Sequence, residues 1–402
     1  MPAACEPGAD TEHLPSSWDV IVVGARCSGA ATALCLARRG LRVLVLDRGR
    51  YGSDTLSTHA LMRPAVHQLQ RWGILDRLWS SAPPVRATTF YYDGAATTVL
   101  IKPRGGVTAL LAPRRTVLDA ALVDAARRAG ARVEHGCSVH ELLRDASGRV
   151  LGLVAQRRGE AAREFRAPLV VGADGRHSTV ARLVGALPYR LGLHRCATLY
   201  AYFAGVDDPA PEHVGYHWYF APRVSASLIP TSDGLWCAAA SVAASSPELR
   251  GAGDPAAALQ RWIARASRDL AARLARARRV GKVHSFAGLL GSLRPCQGPG
   301  WALVGDAGLF RDPGTAHGIS DAFRDAELLA AAVFEGGEAA LQRYQAARDD
   351  LCSGVFDVTD AIAGFDWDMG GLAQLHQRLS AEMQRELASL PPADGPPNLQ
   401  QC

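Results

Sequence analysis

Continuous apolar runs and a stretch of small residues alternate near the start of the chain. The run Val20–Val23 contains no polar position, which is typical of a strand buried on both faces of a parallel sheet. A glycine-containing turn and a helix of small residues follow over positions 24–39, and Gly40 is typical of a helix end. A second apolar run over 41–46 ends at Asp47. The pattern predicts a strand–turn–helix–strand unit of an α/β fold.

A period of two replaces these runs in other parts of the chain. Alternation over residues 88–101 predicts a hairpin. Aromatic side chains recur with the same period over residues 189–246, and the spacing places Tyr216, Trp218 and Phe220 on one face of a strand. As a set with Tyr202 these aromatic residues predict an apolar substrate pocket, whereas each of them singly is also explained as ordinary core.

Two later stretches have the period of a helix. Residues 254–279 are strongly basic, and their apolar stripe consists of Leu259, Trp262, Ile263, Leu270 and Leu274. A solvated basic face explains this pattern, and contact with a membrane surface or a nucleic acid is the alternative. Residues 351–390 also predict helix, to which the sequence assigns no chemistry.

Composition and charge narrow the function classes. The 402 residues carry 44 basic and 39 acidic side chains, a net charge of +5 that is too dilute to indicate a nucleic-acid partner. No apolar run approaches the roughly 20 residues that span a bilayer, and the start lacks the pattern of a signal peptide. The nine cysteines are scattered without a C-x-x-C pair, which argues against disulfides and against a zinc site. We therefore expect a cytoplasmic protein without a metal.

The turn after the first strand has the spacing of a dinucleotide-binding turn. Gly24 and Gly29 occupy the first and third glycine positions, while Arg26 stands in the second and must point away from the phosphates or wrap over them. Asp47, roughly 20 residues on, is placed to accept hydrogen bonds from a ribose and would repel a 2′-phosphate. The alternative is an α/β unit that binds no nucleotide. The predicted cofactor contacts here are Gly24, Ala25, Arg26, Cys27, Ser28, Gly29, Asp47 and Arg48.

Two later motifs specify the nucleotide. A buried strand runs into Gly172-Ala173-Asp174-Gly175, and a second one runs into Gly305-Asp306-Ala307, followed by Pro313-Gly314 and Gly318. With the glycine turn, these segments resemble the flavin-dependent monooxygenases related to para-hydroxybenzoate hydroxylase, and their sister group, the geranylgeranyl reductases. Three motifs in the family's order are more specific than any one of them.

The resemblance implies a fold and a domain organisation. The fold is α/β, with a Rossmann-like FAD-binding domain of the glutathione reductase type 2 kind, an inserted antiparallel β-sheet domain that binds substrate, and C-terminal helices. The implied boundaries are 17–82, 106–185 and 280–350 for the FAD-binding domain, 83–105 and 186–279 for the sheet domain, 351–390 for the helical region, and 1–16 and 391–402 for loose tails.

The resemblance also assigns roles to single residues. It places Gly24 and Gly29 under the FAD pyrophosphate and Asp47 on the adenosine ribose. Arg115 contacts the cofactor from a helix start, and Asp174 holds the packing of strand and turn beside it. In the third motif the resemblance implies that Asp306 binds the ribityl chain and that Pro313 and Gly314 line the isoalloxazine. The segment Gly318 to Ser320 would aim its backbone N–H groups at the flavin's pyrimidine end. The expected cofactor contacts of this motif are Gly305, Asp306, Pro313, Gly314, Gly318 and Ile319.

Two histidines are candidate catalytic residues: His317 departs from the family's pattern, and His59 is expected near the flavin. The family often has glutamine where this chain has His317, which is therefore a candidate for tuning the flavin or for acid–base catalysis, or else a residue that fills the helix start. His59 lies in a segment that approaches the flavin in such proteins, and a structural role is the alternative. Another departure is Ala181, where the family often has arginine.

The leading function implied by the resemblance is an FAD-dependent monooxygenase. It would use NADH or NADPH and O2, form a flavin C4a-hydroperoxide, and oxygenate a small apolar or aromatic substrate, with secondary metabolism as one setting. The segment 216–222 is similar to one in geranylgeranyl reductases, so an FAD-dependent reductase of C=C bonds is the alternative. A flavin redox sensor and a halogenase are less favoured; the only lysines, Lys102 and Lys282, do not match a halogenase's active-site lysine. A separate reductase partner and the oligomeric state stay open.

Overall fold

The computed structural model describes residues 18–249 and 253–392. The predicted tails at 1–16 and 391–402 lie outside these residues, except for positions 391 and 392. The α-helices are α1 (Cys27–Ala37), α2 (Arg63–Arg71), α3 (Leu75–Trp79), α4 (Arg115–Arg128), α5 (Thr179–Leu183), α6 (Pro255–Ala266), α7 (Arg268–Arg276), α8 (Gly318–Glu335), α9 (Glu338–Ala363) and α10 (Met369–Ser389).

The strands divide among four sheets. They are β1 (Val20–Val23), β2 (Val43–Asp47), β3 (Ala87–Tyr92), β4 (Ala95–Leu100), β5 (Arg132–His135), β6 (Cys137–Arg144), β7 (Val150–Arg157), β8 (Arg163–Arg166), β9 (Leu169–Gly172), β10 (Arg190–Leu191), β11 (Cys196–Ala204), β12 (Gly215–Ala221), β13 (Val224–Pro230), β14 (Trp236–Ala243), β15 (Arg278–Phe286), β16 (Ser292–Leu293), β17 (Gln297–Gly298), β18 (Trp301–Leu303) and β19 (Leu309–Phe310).

The first sheet has six strands in the order β17-β18-β9-β1-β2-β5. Its central pairings are parallel, and β1, β2 and β9 are apolar because α1 and the three-stranded sheet β6-β7-β8 pack against them. α1 follows β1 directly and packs against α4 and α8. The predicted strand–turn–helix–strand unit is confirmed, and the α/β fold with it.

The second sheet has seven strands in the order β15-β11-β14-β13-β12-β3-β4. It is antiparallel except between β12 and β3, which run parallel, so the expectation of a wholly antiparallel sheet needs this correction. The parallel pair arises because the hairpin β3–β4 joins β12 from more than a hundred residues earlier in the chain. β15 crosses the predicted boundary at residue 280 and pairs with β11.

Helices cover the two faces of the second sheet differently. α6 and α7 bury the predicted apolar stripe, including Trp262 at 2% exposure, against one face. On the other face Trp218 and Phe220 pack with side chains of α9 and α10. The predicted C-terminal helices are therefore present, and α10 also contacts α2. Across 18–249 and 253–392, no helix is long and apolar enough to cross a membrane.

Candidate functional site

A cleft of about 520 Å³ opens at the carboxyl ends of β1, β2 and β9. Ligands of open α/β sheets bind at this edge, because the loops that leave the strands diverge there. The cleft is lined by six stretches of chain, namely the turn after β1, the loop after β2, the start of α4, the start of β6, the turn after β9, and the segment that ends at the start of α8. All three motifs singled out in the sequence contribute to it.

In the turn after β1, the backbone lies very close both to the turn after β9 and to the first residues of α1. Gly24 has φ +105°, and a Cβ there would lie 2.5 Å from the carbonyl oxygen of Ala173 in the second motif. A Cβ on Gly29 would lie 1.8 Å from the carbonyl oxygen of Gly24, so only glycine lets α1 pack this closely on the turn. Gly24 lines the cleft, whereas Gly29 lies behind it.

Arg26 occupies the position of the usual second glycine and points away from the turn. Its guanidinium donates to the carbonyl oxygens of Ser53 and Asp54, at 3.4 and 3.2 Å, and it pairs with Asp119 at 3.3 Å. Cys27 and Ser28 line the cleft behind it. Burial raises the pKa of the Cys27 thiol, so Cys27 stays a thiol as expected of a small buried residue.

The carboxylate of Asp47 is engaged by the backbone. Its Oδ2 accepts from the N–H of Ala25 at 2.7 Å and its Oδ1 from the N–H of Gly49 at 2.6 Å. Both Asp47 and Arg48 line the cleft. The contacts hold the Asp47 side chain at the cleft edge, and its predicted contact with a ribose stays a prediction.

Arg115 lies at the first turn of α4 and lines the cleft. It makes a two-point ion pair with Asp119, both contacts at 3.0 Å. Burial by itself would lower the pKa of Arg115, but the Asp119 carboxylate outweighs it and raises the value. A fixed cation therefore faces the cleft where an anionic group is predicted.

Asp174 lies in the turn after β9 and holds the start of α5. It accepts from Ser178 Oγ at 2.5 Å and from the N–H of Thr179 at 2.6 Å. Burial raises its pKa. The neighbouring Arg176 and His177 also line the cleft, which the sequence analysis did not single out.

The third motif forms the opposite wall. Gly305 donates to Asp325 at 3.0 Å, and a Cβ there would lie 2.9 Å from the Cβ of Ser28. Asp306 lines the cleft, and burial, assisted by the nearby Asp321 carboxylate, raises its pKa to about 6. Gly314 donates to Asp312 and does not itself line the cleft.

Three further predicted contacts of the third motif lie on the cleft wall: Pro313, Gly318 and Ile319. The last two open α8, so the first free N–H groups of an 18-residue helix lie at the cleft. The helix dipole adds positive potential at this point. An anionic group bound there is favoured.

His59 is buried on the cleft wall in a strained backbone conformation. Its φ is +70°, which is rare for residues other than glycine. Nε2 lies 2.6 Å from the hydroxyl of Tyr202, and Nδ1 has no partner within the part of the chain that the structure describes. Burial, with a smaller contribution from Arg115, lowers the pKa of His59 to about 3, so the ring is neutral.

His317 is buried immediately before α8. Its Nε2 lies 2.5 Å from the Glu386 carboxylate of α10, while Nδ1 has no partner among the described residues. His317 lines the cleft and is 2% exposed. Glu386 was missed by the sequence analysis, because no motif marks a carboxylate in a helix that follows the third motif at a distance.

The predicted substrate-binding aromatics divide into two groups. Tyr202 contacts the cleft through His59, and Arg114 lies 4.5 Å from its ring. Tyr216, Trp218 and Phe220 share one face of β12 as predicted, but none of the three is among the described residues that line the cleft. Their part in substrate binding stays a prediction.

The contacts of these three residues favour structural roles. The Tyr216 hydroxyl donates to the carbonyl oxygen of Leu111 at 2.7 Å and is buried, and Trp218 Nε1 donates to Thr88 at 3.0 Å. Phe220 packs against Trp367, beyond α9. We therefore expect Tyr216 to serve the core, because its hydrogen-bonding capacity is already used.

The cleft fits FAD by its shape and its donors. Gly24, at φ +105°, allows the tight turn after β1, and this turn presents its backbone to the cleft at the place where a pyrophosphate would lie. Arg115 and the start of α8 supply positive potential. The Nδ1 atoms of His59 and His317 are buried and have no hydrogen-bond partner among the described residues, so a bound cofactor could provide one. The residues that would hold FAD come from all three motifs, in the order that the resemblance implies.

Comparisons with known proteins agree with this assignment. A protein family described as an FAD binding domain matches residues 17–359. The digeranylgeranylglycerophospholipid reductase of Methanothrix thermoacetophila is 29% identical over 344 residues, which cover 81% of this chain and 82% of that protein. The menaquinone reductase of Mycolicibacterium smegmatis is 28% identical over 340 residues, covering 79% and 77%.

Among solved structures, a triple mutant of the flavin-dependent brominase Bmp2 has a TM-score of 0.80. Its sequence identity is 17%, and the match covers 92% of this chain and 94% of that chain. At this identity the likeness shows a shared fold only. The match to the FAD binding domain spans most of the chain, and with it the resemblance drawn from the three motifs is confirmed. The chain belongs to this family of FAD-dependent oxidoreductases, and its cofactor is FAD.

Proposed function

We propose that this chain is an FAD-dependent reductase that adds hydrogen across a C=C bond of a largely apolar organic substrate. Two relatives that match along about four-fifths of this chain carry the name reductase, one of a geranylgeranyl lipid and one of menaquinone. His59 on the cleft wall, with the Tyr202 hydroxyl hydrogen-bonded to it, carries the proposal, because this reaction needs a proton donor beside the cofactor.

Reduction of a C=C bond adds a hydride to one carbon and a proton to the other. Bound FAD, once reduced by NADH, NADPH or a partner reductase, supplies the hydride equivalent. The protein must supply the proton in a place that excludes water. His59 is 1% exposed and keeps one ring nitrogen free of protein partners within the described chain.

The proton can reach the substrate from His59, and Tyr202 can replace it. In the tautomer with a proton on Nδ1, His59 donates that proton to carbon while the Tyr202 hydroxyl gives its own proton to Nε2, 2.6 Å away. The Arg114 guanidinium, which also pairs with Asp54, lies over the Tyr202 ring, 4.5 Å from its centroid, and offsets part of the negative charge left on Tyr202. Burial raises the pKa of Tyr202, so the hydroxyl carries its proton in the resting protein.

The second candidate is an FAD-dependent monooxygenase that uses NAD(P)H and O2. It is favoured by the three motifs, whose order the resemblance associates with such enzymes and which surround one cleft. Halogenation is not proposed: Lys102 and Lys282 are not among the described residues that line this cleft.

Mass spectrometry of the product distinguishes the two candidates. The FAD-loaded protein is reduced with dithionite under argon and mixed with a geranylgeranyl lipid, which contains no quinone that dithionite itself would reduce. A parallel sample receives the same lipid with NADPH or NADH in air enriched in heavy oxygen. A product heavier by two hydrogen atoms in the anaerobic sample supports the reductase. Incorporation of heavy oxygen, with no anaerobic product, would replace it by the monooxygenase.

A matched pair of phenol deletions tests the role of Tyr202. Tyr202→Phe removes the hydroxyl beside His59, and Tyr216→Phe removes another buried hydroxyl of the same sheet, which bonds only to backbone. We expect Tyr202→Phe to lower kcat by about 10²-fold or more with little change in KM, as for loss of a general acid. Tyr216→Phe should retain the activity of the folded protein. Equal effects of the two would contradict the proposed proton route.

A further inference from the structure

A cluster of buried charges lies where α10 crosses the start of α8. Glu386 is its centre: one carboxylate oxygen lies 2.5 Å from His317 Nε2, and the other accepts from Arg324 at 3.2 Å. Glu386 has no exposed surface, and His317 and Arg324 are each 2% exposed. This arrangement, the buried charge cluster, consists of His317, Glu386, Arg324, Arg311, Asp321 and Asp325.

With all three carboxyl groups ionised, the charges of the cluster balance when His317 carries a proton. Arg324 also pairs with Asp321 at 2.7 Å and with Asp325 at 2.8 Å, and Arg311 pairs with the other oxygen of Asp321. Two guanidinium groups thus face three carboxylates. An uncompensated buried charge is very costly, so an imidazolium at His317 is the neutral arrangement of these six groups.

The surrounding charges keep the Glu386 carboxyl ionised. Burial would raise the pKa of Glu386, but His317 and Arg324 outweigh it and lower the value. On the cleft side the Asp306 carboxyl lies 3.9 Å from the position of a Cβ on Gly318, the residue after His317, and adds negative potential. His317, Asp321 and Glu386 are close enough to hold a metal ion, but Arg324 already binds both carboxylates.

The second nitrogen of His317 is left for a ligand. Nδ1 is buried and has no partner among residues 18–249 and 253–392, although His317 lines the cleft beside Gly318. A buried N–H without an acceptor costs about 1–3 kcal/mol, so its partner is expected to be a bound group. The site combines this donor with the positive end of α8, and both favour an electron-rich or anionic acceptor.

We propose that His317 is an imidazolium donor to bound FAD, that Glu386 is the positioning residue that keeps it protonated, and that the pair raises the reduction potential of the cofactor. Two-electron reduction with uptake of one proton leaves FAD with an extra negative charge, which a fixed cation stabilises more than the neutral oxidised ring. The inference goes beyond the proposed reductase activity, because it concerns the cofactor and holds equally for an oxygenase.

The test is the midpoint potential of the FAD-loaded protein, measured without substrate by dithionite titration against a reference dye. In Glu386→Gln the proton on His317 loses its counterion, and a buried imidazole gives it up. We expect reduced FAD to be bound about tenfold less tightly relative to oxidised FAD, which for a two-electron couple lowers the potential by about 30 mV. His317→Gln should lower it in the same direction.

The matched control is Glu382→Gln, one turn earlier on α10, whose partner is the exposed Arg385. It should leave the potential unchanged. An unchanged potential in Glu386→Gln or His317→Gln would overturn the proposal. A rise in Glu386→Gln would also overturn it, because His317 would then keep its proton without Glu386.

The unmodified protein provides a further check if either buried variant fails to fold. Its bound FAD should have a higher potential than free FAD, and a lower one would overturn the inference. Because no substrate is present, a failure here leaves the reductase proposal untouched. Conversely, if the protein fails to reduce C=C bonds, the measured reduction potentials still test the role of His317 and Glu386.

Discussion

The ionised carboxylate of Asp306 should lower the free energy of unfolding of the FAD-free protein at neutral pH. Its pKa is raised from an ordinary value of 3.8 to about 6, first by burial and then by the nearby Asp321 carboxylate. The folded state therefore binds a proton more tightly than the unfolded chain does. Below about pH 4 both states are protonated and there is no penalty; as pH rises towards 6 the penalty grows, and above that it stays constant.

The size of the penalty follows from the two pKa values. Each pH unit between 3.8 and about 6 corresponds to about 1.4 kcal/mol, which gives about 3 kcal/mol above pH 6. This figure is an upper limit, because Asp306 is half-buried and meets water in the cleft. Asp306→Asn removes the titrating carboxyl and keeps nearly the same shape. We expect it to stabilise the FAD-free protein at pH 7.

Urea unfolding of FAD-free Asp306→Asn and the unmodified protein, followed by tryptophan fluorescence between pH 4 and 7.5, measures the effect. The gain should be largest above pH 6 and vanish near pH 4. The exposed Asp366→Asn serves as control and should give no pH-dependent difference. A gain that is independent of pH, or a loss of stability at pH 7, would refute the reasoning.

Three further substitutions, one of them with a matched control, test other parts of the structure. Gly24→Ala places a Cβ 2.5 Å from a backbone oxygen at φ +105°, so it should lower the free energy of unfolding by about 2–5 kcal/mol and weaken FAD binding in fluorescence titration. The control is Gly40→Ala, where φ is +83° and the space is open. It should lower the free energy of unfolding by about 1–2 kcal/mol and bind FAD normally. Tyr216→Phe should lose about 1–2 kcal/mol in urea unfolding without changing the substrate KM, and a raised KM would restore its predicted role in the substrate pocket. Trp262→Ala should cost about 3–5 kcal/mol because the side chain is 2% exposed, yet the spectrum of bound FAD should not change, since Trp262 packs on the sheet face away from the cleft.

The sequence by itself determined the elements that depend on neighbours along the chain. The apolar run of β1, the small residues of α1 and the end of β2 follow from local periodicity and turn chemistry. The order of the three motifs indicated FAD through their resemblance to known flavoproteins. The apolar stripe of α6 and α7 was also readable, because a helix period shows which face is buried.

Only the tertiary structure decided the partners of the two histidines. His59 meets Tyr202 across 143 residues, and His317 meets Glu386 across 69 residues. Period and spacing state which face of an element a residue occupies, but not which distant element that face meets. The same holds for Arg26, whose direction depended on where the loop after β2 lies.

The pairing of β12 with β3 was decided in the same way. The direction of a strand within a sheet depends on the path that the long connections of the chain take between strands. A parallel pair has no tight turn between its strands that would mark the pairing in the sequence. The polar side chains of the cleft were visible as residue types, but their protonation depends on burial and on charges from other elements. Burial and long-range charge exist only once the chain has folded, which is why the chemistry of this cleft is a property of the tertiary structure.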